Sequence, residues 1–257
     1  MGTETKRAVT STQINLGALR NPLLIGGGAA GVLGLCGALL SMGQGEDWYQ
    51  KFSASYLVSF CFFMSISLGG LFWVTAMHLT RAGWGICVRR LCEILAMMAL
   101  PMLVLFLPIL IPVVLGWNSS VYSWVNIENI THARDLVEHK AGYLNSGFFT
   151  VRSILYFVIW GLLARFYLKN SVTQDSSRDP NTTLKLQSFS APGMLLFALT
   201  VVFASFDWEM SLDPLWFSTM FPVYFFAGGV LGSLCVLTIT SVLSLIHISE
   251  PTRRYEI

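Results

Sequence analysis

SASYLVSFCFFMSISLGGLFWVTAMH, Ser53 to His78, contains no Asp, Glu, Lys or Arg and closes on a histidine. It is longer than the ~20 apolar residues that a helix needs to cross a bilayer core about 30 Å thick. The next stretch, LTRAGWGICVRRLCE (Leu79 to Glu93), brings Arg81, Arg89, Arg90 and Glu93 together. An oily run that stops at a knot of basic charge is the pattern of a transmembrane helix reaching the cytoplasmic surface. The rest of the chain repeats it. Further apolar runs at 23–41, 94–116, 147–168, 190–206 and 217–243 give six spans in all.

Composition agrees. The chain of 257 residues is 54% hydrophobic and only 12% charged, about half the charge of a soluble domain, which carries roughly 25%. The alternating ~10-residue segments of a membrane barrel do not occur. The fold class expected is therefore all-α, a polytopic bundle of transmembrane helices over 21–243, preceded by a polar cytoplasmic lead at 1–20. With the N-terminus placed inside, the inner segments hold Lys6, Arg7, Arg20, Arg81, Arg89, Arg90, Lys169, Arg178 and Lys185, and the outer ones only Lys51, Arg134 and Lys140. That bias predicts a cytoplasmic N-terminus. The first apolar run lacks a small-residue cleavage site, so no removable signal is expected.

Small residues and prolines predict packing details. GxxxG pairs at Gly27/Gly31 and Gly228/Gly232 suit close helix approach in lipid. Pro101, Pro108 and Pro112 predict a distorted third span. The outer segment 117–146 carries HARDLVEHK, which as a helix sets Asp135 and His139 four apart on one face. Trp208 and Trp216 read as interfacial belt residues. Cys36, Cys61, Cys87, Cys92 and Cys235 have no metal or redox spacing and read as apolar thiols. From Leu243 to Arg253 the chain matches the translation of a common transposon sequencing adapter. The expectation is that 244–257 is an artefact, that His247 has no functional weight, and that the natural frame continues into further spans.

Several chemistries lack their residues. A transmembrane b-type haem needs facing histidines within the bilayer, and His78, His132 and His139 sit at span ends or in a loop. There is no CxxCH, no phosphate-binding loop and no dinucleotide fingerprint. No haem or metal bound by this chain is expected, and no nucleic-acid partner. What remains is a set of ionisable groups at or within the membrane, which are costly there and so mark function by default. His78, Arg81 and Glu93 form the first group. If the helix of the second span ran on past His78, then His78, Arg81, Gly85, Arg89 and Glu93 would share one stripe, suited to proton uptake, with a topological anchor as the plain alternative. The second group is HKAGYLNSGFFTVRS, in which His139, Tyr143 and Asn145 precede Arg152, placed about two turns inside the fourth span. Each can hydrogen-bond a quinone oxygen. The third is SFDWEMSLDPLWFST, in which Asp207 lies deepest and is the natural partner for Arg152. A structural ion pair is the alternative for both, and Asp213-Pro214 reads as a turn.

Three stretches, LFWVTAMHLTRAGWGICVRRLCE, HKAGYLNSGFFTVRSILYFVIW and FDWEMSLDPLWFSTMF, resemble the second quinol-binding-type membrane subunit of alternative complex III, a bacterial quinol:cytochrome c oxidoreductase. Its membrane subunits belong to the polysulfide-reductase-type anchors. The resemblance covers roughly residues 20–243, whereas family members have about ten spans. It implies a multi-pass subunit of the bacterial inner membrane, with quinol (menaquinone or ubiquinone) oxidised at the outer side. Electrons would leave through an iron–sulfur subunit and multihaem cytochrome c subunits, beside other membrane subunits. On that reading His78, Arg81 and Glu93 line a cytoplasmic proton path, and His139, Tyr143, Asn145, Arg152 and Asp207 form an outer polar cluster near a quinone or proton exit. Two other readings stay open: a transporter or channel, and a purely structural anchor for extrinsic redox subunits.

Overall fold

The computed structural model describes residues 46–117, 120–126, 134–177 and 179–253, with parts of 25–40. The chain divides into two units, 1–49 and 50–257. In the first, residues 25–40 are helical where described. Gly27 of the first GxxxG pair, the whole of the 1–20 lead, His132 and Arg178 lie outside the described residues.

The helices that follow are α1 (Glu46–Leu79), α2 (Ile86–Met97), α3 (Ala99–Leu115), the short α4 (Arg134–His139), α5 (Ser146–Ser177), α6 (Pro180–Trp208) and α7 (Phe221–Arg253), all but the first four residues of α1 in the second unit. No strand occurs among the described residues. Among the described residues, five helical stretches are long and apolar enough to span a membrane: Gln50–Leu79, Gly83–Leu115, Ser146–Ser177, Pro180–Leu212 and Phe221–Leu243. The protein is an all-α, multi-pass helical bundle. Successive spans run antiparallel, so one end carries the turn at 80–85 with the end of α5 and the start of α6, and the other carries the described residues of 116–145 and the segment 209–220.

The first turn corrects the expected stripe. α1 stops at Leu79, and Arg81 takes a left-handed conformation (φ 52°). The Ala82 N–H donates to Met77 O (2.9 Å) and the Arg81 N–H to His78 O (3.4 Å). Those two bonds are the Schellman pattern that closes a helix by satisfying its last carbonyls. Gly83–Gly85 then makes one 3-10 turn, and α2 starts in a new direction. Arg81 is therefore exposed and off any face shared with Arg89 and Glu93. At the other tight turn, Asp179 caps α6 by accepting from the Asn181 N–H (2.9 Å), with Pro180 in the first helical turn, where its missing donor costs nothing.

The third span is broken between α2 and α3 at Met98, ahead of the prolines. Pro101 falls in the first turn of α3, where no donor is needed. Pro108 and Pro112 sit inside a helix that stays continuous. Carbonyls at the break find a partner in α1: Ser67 Oγ donates to Leu95 O (2.9 Å). Gly70 makes that approach possible, since a Cβ there would lie 2.6 Å from Leu95 Cβ. α3 ends on Gly116 (φ 65°), where a side chain would be strained.

The second GxxxG pair is not the close contact between helices α1 and α7. Gly69 and Gly229 are: a Cβ at Gly69 would meet Gly229 O at 2.3 Å, and one at Gly229 would meet Ser65 O at 2.7 Å. A Cβ at Gly228 would touch nothing, and at Gly232 it would make ordinary contact with Ile66.

Aromatic rings fill the bundle centre. Trp208 stacks or edges onto Phe60, Phe106, Phe157 and Trp160 at centroid distances of 4.9 to 5.7 Å. It is 1% exposed, so it is a core residue and not an interfacial one. The sequence placed it one residue past Asp207 at a span end, but Asp207 is drawn inward by its partners and takes the indole with it. Trp216 is 47% exposed, as a belt residue would be. Residues 120–126 also fold back into the bundle. Tyr122 and Trp124 are buried against Phe149, and the Tyr122 hydroxyl donates to Trp208 O (3.0 Å).

Candidate functional site

Arg152 stands two turns into α5 and Asp207 is the second-to-last residue of α6, so the antiparallel hairpin brings them level. Arg152 Nε donates to Asp207 Oδ2 and Nη2 to Oδ1, both at 2.8 Å. This two-pronged geometry is the strongest form of the pair. The Tyr156 hydroxyl, one turn further along α5, donates to Asp207 Oδ2 (2.7 Å). Arg152 Nη1 donates to Tyr143 O (3.1 Å), and its guanidinium lies over the Tyr143 and Phe148 rings at 3.9 and 4.2 Å. Asp207 is wholly buried. Burying either charge alone would cost several kcal/mol, and here each is matched in charge and hydrogen-bonded.

Tyr143 joins this network to a cavity. Its ring covers Arg152, while the same side chain lines a space of about 410 Å³ with His139, Lys140, Phe206, Asp213 and Trp216. The Tyr143 hydroxyl is buried and makes no hydrogen bond. Burial, with the Asp207 carboxylate close by, pushes its phenol above the ordinary value, so it stays a protonated donor. The cavity is mostly apolar, with a few polar groups on its wall, the usual make-up of a small-molecule site.

The other sequence-predicted members stand apart from this network. His139 ends α4, lines the cavity and is exposed. Lys140 Nζ donates to Pro214 O (2.5 Å), tying the two loops at this end together. Asn145 is a helix cap: Oδ1 accepts from the Phe148 N–H (2.8 Å), and Nδ2 donates to Ala141 O and Gly142 O. Asp213 accepts from the Leu215 N–H (3.0 Å), the turn role expected of it.

At the opposite end, His78 and Glu93 sit in two separate clusters. His78 is 5% exposed and stacked on Tyr167 (5.5 Å, 8°), with Nε2 lacking a hydrogen bond. The Tyr167 hydroxyl donates to Ser190 Oγ (3.1 Å). Glu93 is fully buried on α2. Arg90 Nη1 reaches its Oε2 at 2.9 Å, and Arg89 Nε lies 3.8 Å from its Oε1. Arg90 also pairs with Asp175 on α5. Arg81 belongs to neither cluster.

Sequence reading missed what joins the two ends. Helices α5 and α6 are tied by a ladder of side-chain bonds: Arg152 and Tyr156 to Asp207, Trp160 Nε1 to Thr200 Oγ1 (2.9 Å), Tyr167 to Ser190, and Gln174 to Thr183. A signal was present: Arg152, Tyr156 and Trp160 recur every fourth residue on an otherwise oily helix, hence on one face. Tyr156 and Asp175 were overlooked as partners because neither carries a motif.

The fold and these clusters define a multi-pass membrane protein with a buried, fully paired charge network beside a cavity at one end. No protein-family model matches the chain, and no curated protein matches it.

Proposed function

We propose that the chain is a membrane subunit of a bacterial quinol:cytochrome c oxidoreductase of the alternative complex III type. On this reading it sits in the inner membrane with its N-terminus cytoplasmic. The observation that carries the proposal is the Arg152–Asp207–Tyr156 network reaching the 410 Å³ cavity through Tyr143. A quinol headgroup in that cavity offers two hydroxyls. On this reading the Tyr143 phenol at the cavity wall holds one oxygen, and His139 on the same wall takes a proton. Oxidation of one quinol to quinone releases two protons and two electrons. This chain's residues handle the protons, and the electrons pass to iron–sulfur and haem groups of partner subunits. His78 with Tyr167 and Ser190, and Glu93 with Arg90, are the corresponding proton-handling groups at the cytoplasmic end.

A second reading has its own support. Both oxygens of Asp207 are engaged by Arg152 and Tyr156, as a pure clamp between α5 and α6 requires. Turnover of the complete complex separates the two. In the quinol reading, Tyr143→Phe lowers quinol:cytochrome c turnover by about tenfold, the loss of one hydrogen bond to a polarised oxygen, with the complex still assembled. Unchanged turnover in an intact Arg152→Met complex would sink the quinol reading. Failure of that complex to assemble, together with full activity of Tyr143→Phe, would establish the clamp.

A further inference from the structure

Helices α1 and α7 touch backbone to backbone at Ser65–Gly229 and Gly69–Gly229, then splay apart towards the end that holds Asp207. The wedge between them is a groove of about 980 Å³, at the upper limit of the roughly 300–1,000 Å³ of small-molecule sites. On α1 it runs from Ala54 to Ile66, about 18 Å at ~1.5 Å per residue. That is the depth of one leaflet of a hydrocarbon core about 30 Å thick. Its walls are almost wholly apolar. Gly228, open to a Cβ, forms part of the wall and not a helix contact.

One charged group faces this space. Glu209, at the end of α6, lines the groove at its surface end, and the Cys61 thiol lies beside it. No Lys, Arg or His is among the lining residues. Among the described residues that line it, this oily, one-leaflet groove offers the carboxylate at its head no counter-charge. An occupant with apolar chains and a cationic, hydrogen-donating head would supply that charge and offset the desolvation.

We propose that the α1/α7 groove binds one aminophospholipid, with its acyl chains in the wedge and its ammonium on Glu209. Phosphatidylethanolamine is the fitting class. Phosphatidylglycerol brings a negative charge to Glu209, and phosphatidylcholine has no N–H to donate. The site shares no residue with the Arg152–Asp207 network, and it does not depend on the quinol reading.

The test is lipid retention by the full chain, extracted in mild detergent from membranes containing both phosphatidylethanolamine and phosphatidylglycerol. The expected result is about one phosphatidylethanolamine retained per chain by quantitative mass spectrometry. Glu209→Gln should lower that retention about tenfold, as loss of one charge-assisted hydrogen bond implies. Gly228→Phe, which fills the groove, should also empty it. Delipidated wild-type chain should regain thermal stability with phosphatidylethanolamine and not with phosphatidylglycerol or phosphatidylcholine, a readout that needs no variant to fold. Equal retention of phosphatidylglycerol, a quinone in place of the phospholipid, no lipid at all because another span covers the groove, or retention unchanged in Glu209→Gln would each overturn the proposal.

Discussion

Asp207 and Arg152 were marked in the sequence by their cost, since a charge within a span must find a partner. The structure supplies that partner bidentately, and this makes a directional prediction. Arg152→Met leaves Asp207 buried and unpaired, and Asp207→Leu does the same to Arg152. Each single change should cost about 3–5 kcal/mol, while the double change, with both charges gone, should cost much less. Unfolding of the detergent-solubilised chain measures all three. Equal, additive losses would show that the pair is not coupled. Tyr122 gives a pH prediction. Its phenol is fully buried, and burial raises its pKa well above the ordinary 10.0. The folded state then favours the neutral form. The resulting stability is complete below about pH 10, the unfolded phenol's value, and is lost as pH rises beyond it. Tyr122→Phe, which removes the ionisable group and its bond to Trp208 O, should flatten that alkaline loss relative to wild type.

Helix contacts in lipid depend on how near two backbones can come, and here neighbouring glycines differ in kind. Gly69 faces the Gly229 carbonyl at a distance that no Cβ tolerates, and Gly228 faces open space. Gly69→Leu should therefore separate α1 from α7 and destabilise the bundle by about 1–3 kcal/mol or more, as overpacking does. Gly228→Ala should be neutral within about 0.5 kcal/mol. Thermal unfolding of the two variants checks the contrast, and equal effects would refute the assigned contact. The sequence offered Gly228/Gly232 as the GxxxG pair, and the wrong member was the natural choice. Spacing reports which small residues share a face of one helix, but the partner helix decides which of them it meets. The turn after His78 shows the same limit. Gly83 and Gly85 are the ordinary helix breakers there, yet α1 already stops at Leu79, with Arg81 left-handed in the turn, and α2 is laid against α1 at Gly70.

Across the whole molecule, the α5/α6 ladder joins two polar ends through an aromatic centre. Its rungs are unequal. Hydrogen bonds between helices in a membrane contribute about 0.6 kcal/mol on average. Thr200→Val and Ser190→Ala should each be mild, well under the loss from breaking Arg152–Asp207. Comparing the unfolding of these variants ranks the rungs, and a large loss from Thr200→Val would mean that the centre and not the charged end holds the hairpin. The same ladder explains why the site was only half legible. His139, Tyr143, Arg152 and Asp207 were readable as polar residues clustered near span ends. Asn145 was readable as polar but not as a cap, since that depends on where α5 begins. Tyr156 looked like one aromatic among many until α6 set Asp207 beside it.

By itself the sequence determined the all-α, multi-pass character, because some twenty apolar residues in a row have only one stable arrangement in lipid, a helix with every backbone group bonded internally. It also determined that Arg152 needs an anionic or carbonyl partner, since an unpaired charge in hydrocarbon is costly. Only the tertiary structure decided that Trp208 is core, that Glu93 and His78 lie in separate clusters, and that Glu209 heads a groove one leaflet deep. These are facts about distances between segments far apart in the chain. Such distances are set by the packing of whole helices and leave no periodicity in any one of them.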